Sequence, residues 1–86
     1  MRLEGAVIKE QGVTFAVAVV KRVVIDSPQR RTTVARELEP VFGGMPVVLM
    51  AQDHRGTPIY WGRRDIARFM SAVPLGAIPW KRYPLN

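Results

Sequence analysis

The fold is decided by residues 46–70, which read PVVLMAQDHRGTPIYWGRRDIARFM. Residues 47–50 are an apolar run of strand length. Residues 53–56 then form a polar segment that ends in glycine, which is typical of a hairpin loop. The strand pattern resumes over 59–61 and Gly62 interrupts it. Apolar residues then recur at helical spacing, namely Ile66, Phe69, Met70 and Val73. This stretch therefore predicts a strand, a tight turn, a second strand and an amphipathic helix.

The residues before this stretch predict a second hairpin and helix. Residues 6–9 and 13–25 have strand composition, and the three residues 10–12 between them end in glycine. Along 13–20 the alternate positions form a bulky face (Val13, Phe15, Val17, Val19) and a small one (Thr14, Ala16, Ala18, Val20). Two apolar faces indicate a central strand, or one whose small face lies under a helix or a second subunit. Because 13–25 is long for so small a domain, a bulge or bend is expected near Lys21.

Serine and proline mark the beginning of the first helix. Ser27 can accept a hydrogen bond from an unpaired backbone N–H, and Pro28 suits the first helical position. The helix is expected to run regularly to about Leu38, since Pro40 disfavours its continuation, and to stop at 43–44, which are both glycine. Pro58 cannot donate to a ladder and therefore predicts that its strand lies at a sheet edge. The last helix is predicted over 63–73 and is ended by proline.

The order strand, strand, helix, strand, strand, helix predicts the α+β class. The simplest assembly is a four-stranded, mainly antiparallel sheet with both helices packed on one face. We expect one domain over 1–73, followed by an arm over 74–86 that is rich in proline and aromatic residues. The sequence leaves open whether this arm packs back on the domain or extends to a partner.

The second half of the chain resembles the closing portion of the thioredoxin fold. Pro46 precedes a strand, Gly56 lies in the hairpin and Gly62 leads into the last helix, as that pattern requires. The resemblance covers about 25 residues by spacing. It departs from the family at the paired cysteines, which are absent here. The preceding helix opens instead with Ser-Pro-Gln at 27–29. It implies, as an alternative, a truncated thioredoxin-like arrangement without redox chemistry.

Composition excludes several classes of site. The 86 residues include no cysteine and one histidine, which excludes disulfides, thiol chemistry, cysteine-ligated zinc and a His-rich metal site. We expect no cofactor, no metal and, for want of paired acid-base groups at a recognisable spacing, no enzymatic activity. His54 follows Asp53 at a predicted hairpin tip, where turn structure explains both residues better than catalysis. No signal peptide is evident and no apolar stretch approaches the roughly 20 residues that span a bilayer, so a cytoplasmic location is expected.

The positive charge is concentrated near the carboxyl end. The formal net charge is +6, and residues 63–86 contain five basic residues against Asp65 alone. Two of these arginines fall in the first turn of the predicted helix, where the helix dipole disfavours cations. A bound anion, phosphate above all, would explain them. The structural alternative is that Asp65 offsets the dipole and pairs with Arg68. The candidate residues for binding an anion or nucleic acid are Gly62, Arg63, Arg64, Arg68, Lys81 and Arg82.

Four aromatic residues accompany these basic ones: Tyr60, Trp61, Trp80 and Tyr83. Aromatic and basic side chains together bind single-stranded nucleic acid by stacking and charge, although large aromatics more often form a core or a dimer interface. The thin core and the small face of the second strand also suggest a homodimer. We therefore expect a small basic interaction domain that binds nucleic acid or an acidic protein. The alternative is a binder of a small anionic ligand, or a redox-inactive thioredoxin-like domain.

Overall fold

The computed structural model describes residues 2–10 and 12–85, which form a mixed five-stranded sheet and three α-helices. In chain order these elements are β1 (Arg2–Glu10), β2 (Val13–Val19), α1 (Arg22–Asp26), α2 (Pro28–Leu38), β3 (Val47–Gln52), β4 (Pro58–Trp61), α3 (Arg64–Ser71) and β5 (Lys81–Pro84). Two 3₁₀ turns lie at Pro40–Phe42 and Leu75–Ala77. The predicted α+β class is confirmed.

The strand order in the sheet is β4-β3-β2-β1-β5. Strands β2 and β3 are parallel, with Ala16 opposite Val47, and every other neighbouring pair is antiparallel. The parallel pair is joined by the crossover through α1 and α2. The prediction of four strands was therefore wrong in detail, because the arm supplies a fifth strand and one central pair is parallel.

The helices cover opposite faces of the sheet, so the prediction that both pack on one face was wrong. One core lies on the α3 side and contains Phe15, Val17, Val48 and Met70 among its buried residues. The other lies on the α1–α2 side, and its buried residues are Ala16, Ala18, Ile25, Leu38, Phe42, Val47, Leu49 and Ala51. The physical reason is that β2 and β3 are apolar on both faces, and each face requires a covering layer. The bulky face of β2 meets α3, and its small face lies under the crossover helices.

Strand β2 ends at Val19, and not near residue 25 as its composition predicted. The following β-branched residues form α1, which buries Ile25 against the small face and leaves Val23 51% exposed. Arg22 and Asp26 form an ion pair of 3.5 Å one helical turn apart. The β propensity of the run Val23, Val24 and Ile25 is overridden because the chain must turn out of the sheet here to return for a parallel strand.

The boundaries predicted for the first helix, which is α2 in the structure, are confirmed. Ser27 Oγ accepts a hydrogen bond from the backbone N–H of Arg30 at 3.3 Å, and α2 runs from Pro28 to Leu38. The 3₁₀ turn at Pro40–Phe42 follows, and Gly43 takes the left-handed conformation at φ 72°. The last helix, α3, is shorter than the predicted 63–73.

The segment after α3 packs back on the sheet. Strand β5 pairs with β1, and Leu3 lies opposite Tyr83. The ring of Tyr83 lies 4.7 Å from that of Phe42, edge to face, and Trp80 Nε1 donates to the carbonyl of Leu75 at 3.2 Å. Of the two arrangements that the sequence left open for the arm, the structure has the docked one. Across the described residues no helix has the length and apolar character needed to cross a membrane.

Candidate anion-binding surface

The start of α3 is positioned by a close approach between Gly62 and β3. Gly62 has φ +155°, and a Cβ atom at this position would lie 3.0 Å from Val48 Cγ2 and 3.3 Å from the carbonyl oxygen of Val47. Only glycine fits such an approach without displacing the buried strand. Gly62 therefore has a sufficient structural reason, which is to turn the chain from β4 into α3.

Arg63 and Asp65 form an ion pair at the helix start. Arg63 Nε donates to Asp65 Oδ1 at 2.9 Å, and both side chains are more than half exposed. The hydrogen bond from Arg63 lowers the pKa of the Asp65 carboxyl from its ordinary value. Asp65 therefore offsets the dipole as the sequence suggested, but its partner is Arg63 and not Arg68. Being solvent-exposed, the pair contributes little to stability.

Arg64 and Arg68 are the accessible cations of α3. They lie four residues apart on an eight-residue helix and so share one face, and both are exposed. Neither has an ion-pair partner within residues 2–10 and 12–85. Arg68 lies in the last turn, where the helix dipole favours a cation, but Arg64 lies in the first turn, where it does not. Together they form a positive strip along the helix, the α3 basic strip.

The structure does not bring Lys81 and Arg82 to this strip. Both are exposed on β5, which lies at the opposite edge of the sheet from β4. Four inter-strand spacings separate the two edges, or about 19 Å. Because Tyr83 packs into the α1–α2 core, the alternation of the strand puts Arg82 on the α3 side and Lys81 on the other. Arg82 also lies opposite Glu4 in the register. The predicted six-residue set is therefore divided between the segment Gly62–Arg68, which follows β4, and the edge strand β5.

The four predicted aromatic residues are half-buried and packed within the domain. Tyr60 and Trp80 pack against the α3-side core, whereas Trp61 and Tyr83 pack against the α1–α2 core. The hydroxyl of Tyr60 is buried and has no hydrogen-bond partner among the described residues, and this burial raises the pKa of Tyr60. These rings accordingly pack against the two cores and retain some exposed surface, which leaves both the core and the interface alternatives weighed for them.

Among the residues that the structure describes, Phe69 is the aromatic residue that is exposed. Its side chain is 36% exposed beside Phe15, with the ring centroids 6.5 Å apart and nearly perpendicular. A cleft of about 160 Å³ lies next to it, with an apolar wall of Val13, Phe15, Ile66 and Phe69 and the carboxylates of Glu10 and Asp65. Helical spacing assigned Phe69 to the core, so the sequence did not indicate its exposure. The two carboxylates make the cleft itself unsuitable for an anion.

Arg31 is a structural residue that sequence reasoning did not single out. Its guanidinium carbon lies 5.1 Å above the ring centroid of Trp61, and Nη1 donates to the carbonyl of Ile25 at 3.3 Å. Its Nε is buried without a partner among the described residues. The available signal was spacing, since Arg31 stands three and seven residues before Val34 and Leu38 on the inward stripe of α2. Arg31 therefore connects the crossover helix to the edge strand β4.

The loop at His54 has an ordinary turn structure. Asp53 Oδ1 accepts hydrogen bonds from the backbone N–H groups of Arg55 and Thr57, at 2.8 and 3.0 Å. Asp53 is thus used by the turn, and His54 is exposed beside it. Over the described part of the chain, no three His, Cys, Asp or Glu side chains come together as a metal-binding group.

Comparison of this chain with protein-family models, with curated proteins and with solved structures finds no match. The thioredoxin-like alternative therefore stays a prediction from spacing.

Proposed function

We propose that this protein is a non-enzymatic interaction domain that binds a polyanion through the α3 basic strip. The proposal rests on Arg64 and Arg68. Both are exposed on one face of α3, and neither has an ion-pair partner in the described structure. Arg63 lies beside them in an ion pair with Asp65. The net charge of +6 would attract a polyanion to the whole molecule and this strip would provide the contact.

Nucleic acid is the polyanion that the proposal favours. Its backbone offers a row of phosphates to Arg64 and Arg68, and a guanidinium group binds phosphate in bidentate fashion. The half-buried aromatics leave no row of rings for stacking, so recognition would rest on phosphates and show little sequence preference. A cytoplasmic location and the homodimer stay proposals beside it.

The test measures binding of a fluorescent single-stranded oligonucleotide by anisotropy, with two charge-matched double variants. Arg64→Gln/Arg68→Gln should weaken binding at least tenfold at low salt. Lys81→Gln/Arg82→Gln removes the same two charges from the far edge of the sheet and should weaken it less than threefold. Affinity should also fall steeply with salt. A plot of log affinity against log salt concentration should have a slope of about −0.7 for each phosphate contacted. Equal losses in the two variants would contradict a located site, because net charge alone would then explain the binding.

The alternative of a small anionic ligand would involve the backbone N–H groups at the start of α3. The two proposals are separated by titrating the protein with inorganic phosphate and monitoring the backbone amide NMR resonances of residues 62–65. Saturable shifts at millimolar phosphate that survive physiological salt would favour the small-ligand alternative, whereas a polyanion site loses its affinity as salt rises.

A further inference from the structure

The hydrogen-bonding direction of each residue in the edge strand β4 follows from its neighbour β3. The N–H of Ala16 donates to the carbonyl of Pro46, and the N–H of Val20 donates to the carbonyl of Met50, both at 2.9 Å. The residues at 46, 48 and 50 therefore point their backbone groups at β2, and those at 47, 49 and 51 point theirs at β4.

Tyr60 lies opposite Met50, so its N–H and C=O point away from the sheet. Ile59 and Trp61, opposite Ala51 and Leu49, are the residues that bond to β3. Pro58 takes the other outward position, where the missing N–H costs β3 no hydrogen bond. The free edge of β4 thus presents one residue that can both donate and accept, and it lies at Tyr60.

We propose that two copies of this chain associate through β4, in antiparallel pairing about a two-fold axis at Tyr60. The two Tyr60 residues would exchange both of their outward hydrogen bonds, which a two-fold axis through that residue requires. The pairing joins the two sheets into one continuous sheet across the axis.

The side chains of β4 suit this register. Ile59 of each copy lies opposite Trp61 of the other, which is an apolar cross-strand pair. Pro58, Ile59, Tyr60 and Trp61 are all partly buried in the single chain, so each retains some surface to lose on association. Residues 56–62 carry no charge. The partner that β4 suits is therefore the β4 strand of a second copy of the chain.

The opposite side of the sheet does not offer the same match. Its edge consists of β5, with Lys81 and Arg82, and of the part of β1 beyond Gly5, with Lys9 and Glu10. A two-fold pairing of β5 would set like charges against one another, which destabilises a strand pair, and charged side chains on the rest of that edge also oppose pairing. Strand β4 has no charged residue, so charge favours β4 over β5.

The test uses the fact that the chain has no cysteine. In the proposed register, the Cα atoms of a residue 60 pair lie about 5.5 Å apart, within disulfide range. Residue 59 of one copy is only a diagonal neighbour of residue 59 of the other, at about 7–8 Å, beyond that range. Under mild oxidation Tyr60→Cys should form covalent dimers at least tenfold faster than Ile59→Cys. Equal rates for the two variants would overturn the proposed register.

Light scattering on the unmodified chain tests association itself. We expect a dimer at a few hundred micromolar, and a strict monomer at that concentration would overturn the proposal. Tyr60→Ala and Tyr60→Pro lose the same ring, but only the proline variant loses the outward N–H. If circular dichroism shows both folded, Tyr60→Pro should dissociate at least tenfold more readily. Should Tyr60→Pro not fold, the cysteine comparison and the light scattering still decide the question.

Discussion

At the scale of single residues, two buried side-chain polar atoms of the described chain have no hydrogen-bond partner, Arg31 Nε and the hydroxyl of Tyr60; the hydroxyl allows the simpler test. It is buried without a hydrogen-bond partner while its ring contributes to the α3-side core. A buried polar atom without a partner costs free energy that an apolar atom in its place does not. This hydroxyl is thus a local cost to folding and not a source of stability.

Replacing Tyr60 by phenylalanine should leave the free energy of unfolding unchanged at pH 7 or raise it by up to about 1 kcal/mol. Urea unfolding, monitored by circular dichroism, provides the measurement. A loss of more than about 1 kcal/mol would show that the hydroxyl has a partner in solution.

The same substitution should also change the alkaline limb of the stability profile. Burial raises the pKa of Tyr60 above the ordinary value of 10.0, so the folded state holds this proton more tightly than the unfolded state. Stability linked to Tyr60 is present below pH 10 and is lost as the pH rises through the folded-state pKa. Tyr60→Phe should therefore lose less stability than the wild type as the pH rises above 10.

At the scale of elements, the turn from β4 into α3 determines where the α3 basic strip lies. A Cβ atom at Gly62 would lie 3.0 Å from Val48 Cγ2 and 3.2 Å from Val48 Cα, which is tighter than ordinary van der Waals contact. Adding a methyl group here forces either the buried strand or the helix start to move. The strip therefore depends on Gly62 for its position, even though glycine contributes no binding group of its own.

Gly62→Ala should destabilise the fold by roughly 1–3 kcal/mol, through overpacking against β3 and an unfavourable φ. The matched control is Gly76→Ala, where nothing lies within 4 Å of the added atom. The control should change stability by less than about 1 kcal/mol. Thermal and urea unfolding of both variants measure the difference. If Gly62→Ala kept full stability but lost oligonucleotide binding, Gly62 would be a binding residue and not a structural one.

At the scale of the whole molecule, the arm completes the sheet. Strand β5 covers the first half of β1, and Tyr83 closes the edge of the α1–α2 core against Phe42. The chain thus uses its last residues to bury apolar surface that a sheet ending at β1 would expose.

Tyr83→Ala should lower the free energy of unfolding by about 2 kcal/mol, since a half-buried ring loses part of the 3–5 kcal/mol typical of a buried aromatic. Arg82→Ala, which is exposed on the same strand, is the control and should change it by no more than about 0.5 kcal/mol. Equal, small effects in the two variants would mean that β5 is not docked in solution.

Local pattern determined much of this protein. The capping of α2 by Ser27, the hairpin between β3 and β4, the edge position of Pro58 and the α+β class all follow from neighbours in the chain, because caps, turns and alternation are short-range properties. The apolar nature of both faces of β2 indicated a central strand. The basic excess after residue 62 likewise belongs to the sequence, since charge does not depend on the fold.

Only the tertiary structure decided how these pieces combine. It made 22–26 a helix, because the chain must leave the sheet to return in parallel, and it put α3 on the face opposite α2, because both faces of the central strands need cover. It put Lys81 and Arg82 on the edge strand β5 and Arg64 and Arg68 on α3, which follows the opposite edge strand, and it exposed Phe69 while burying much of Trp61. Strand order and side-chain accessibility arise from contacts between residues distant in the chain, and spacing along the sequence carries no record of them.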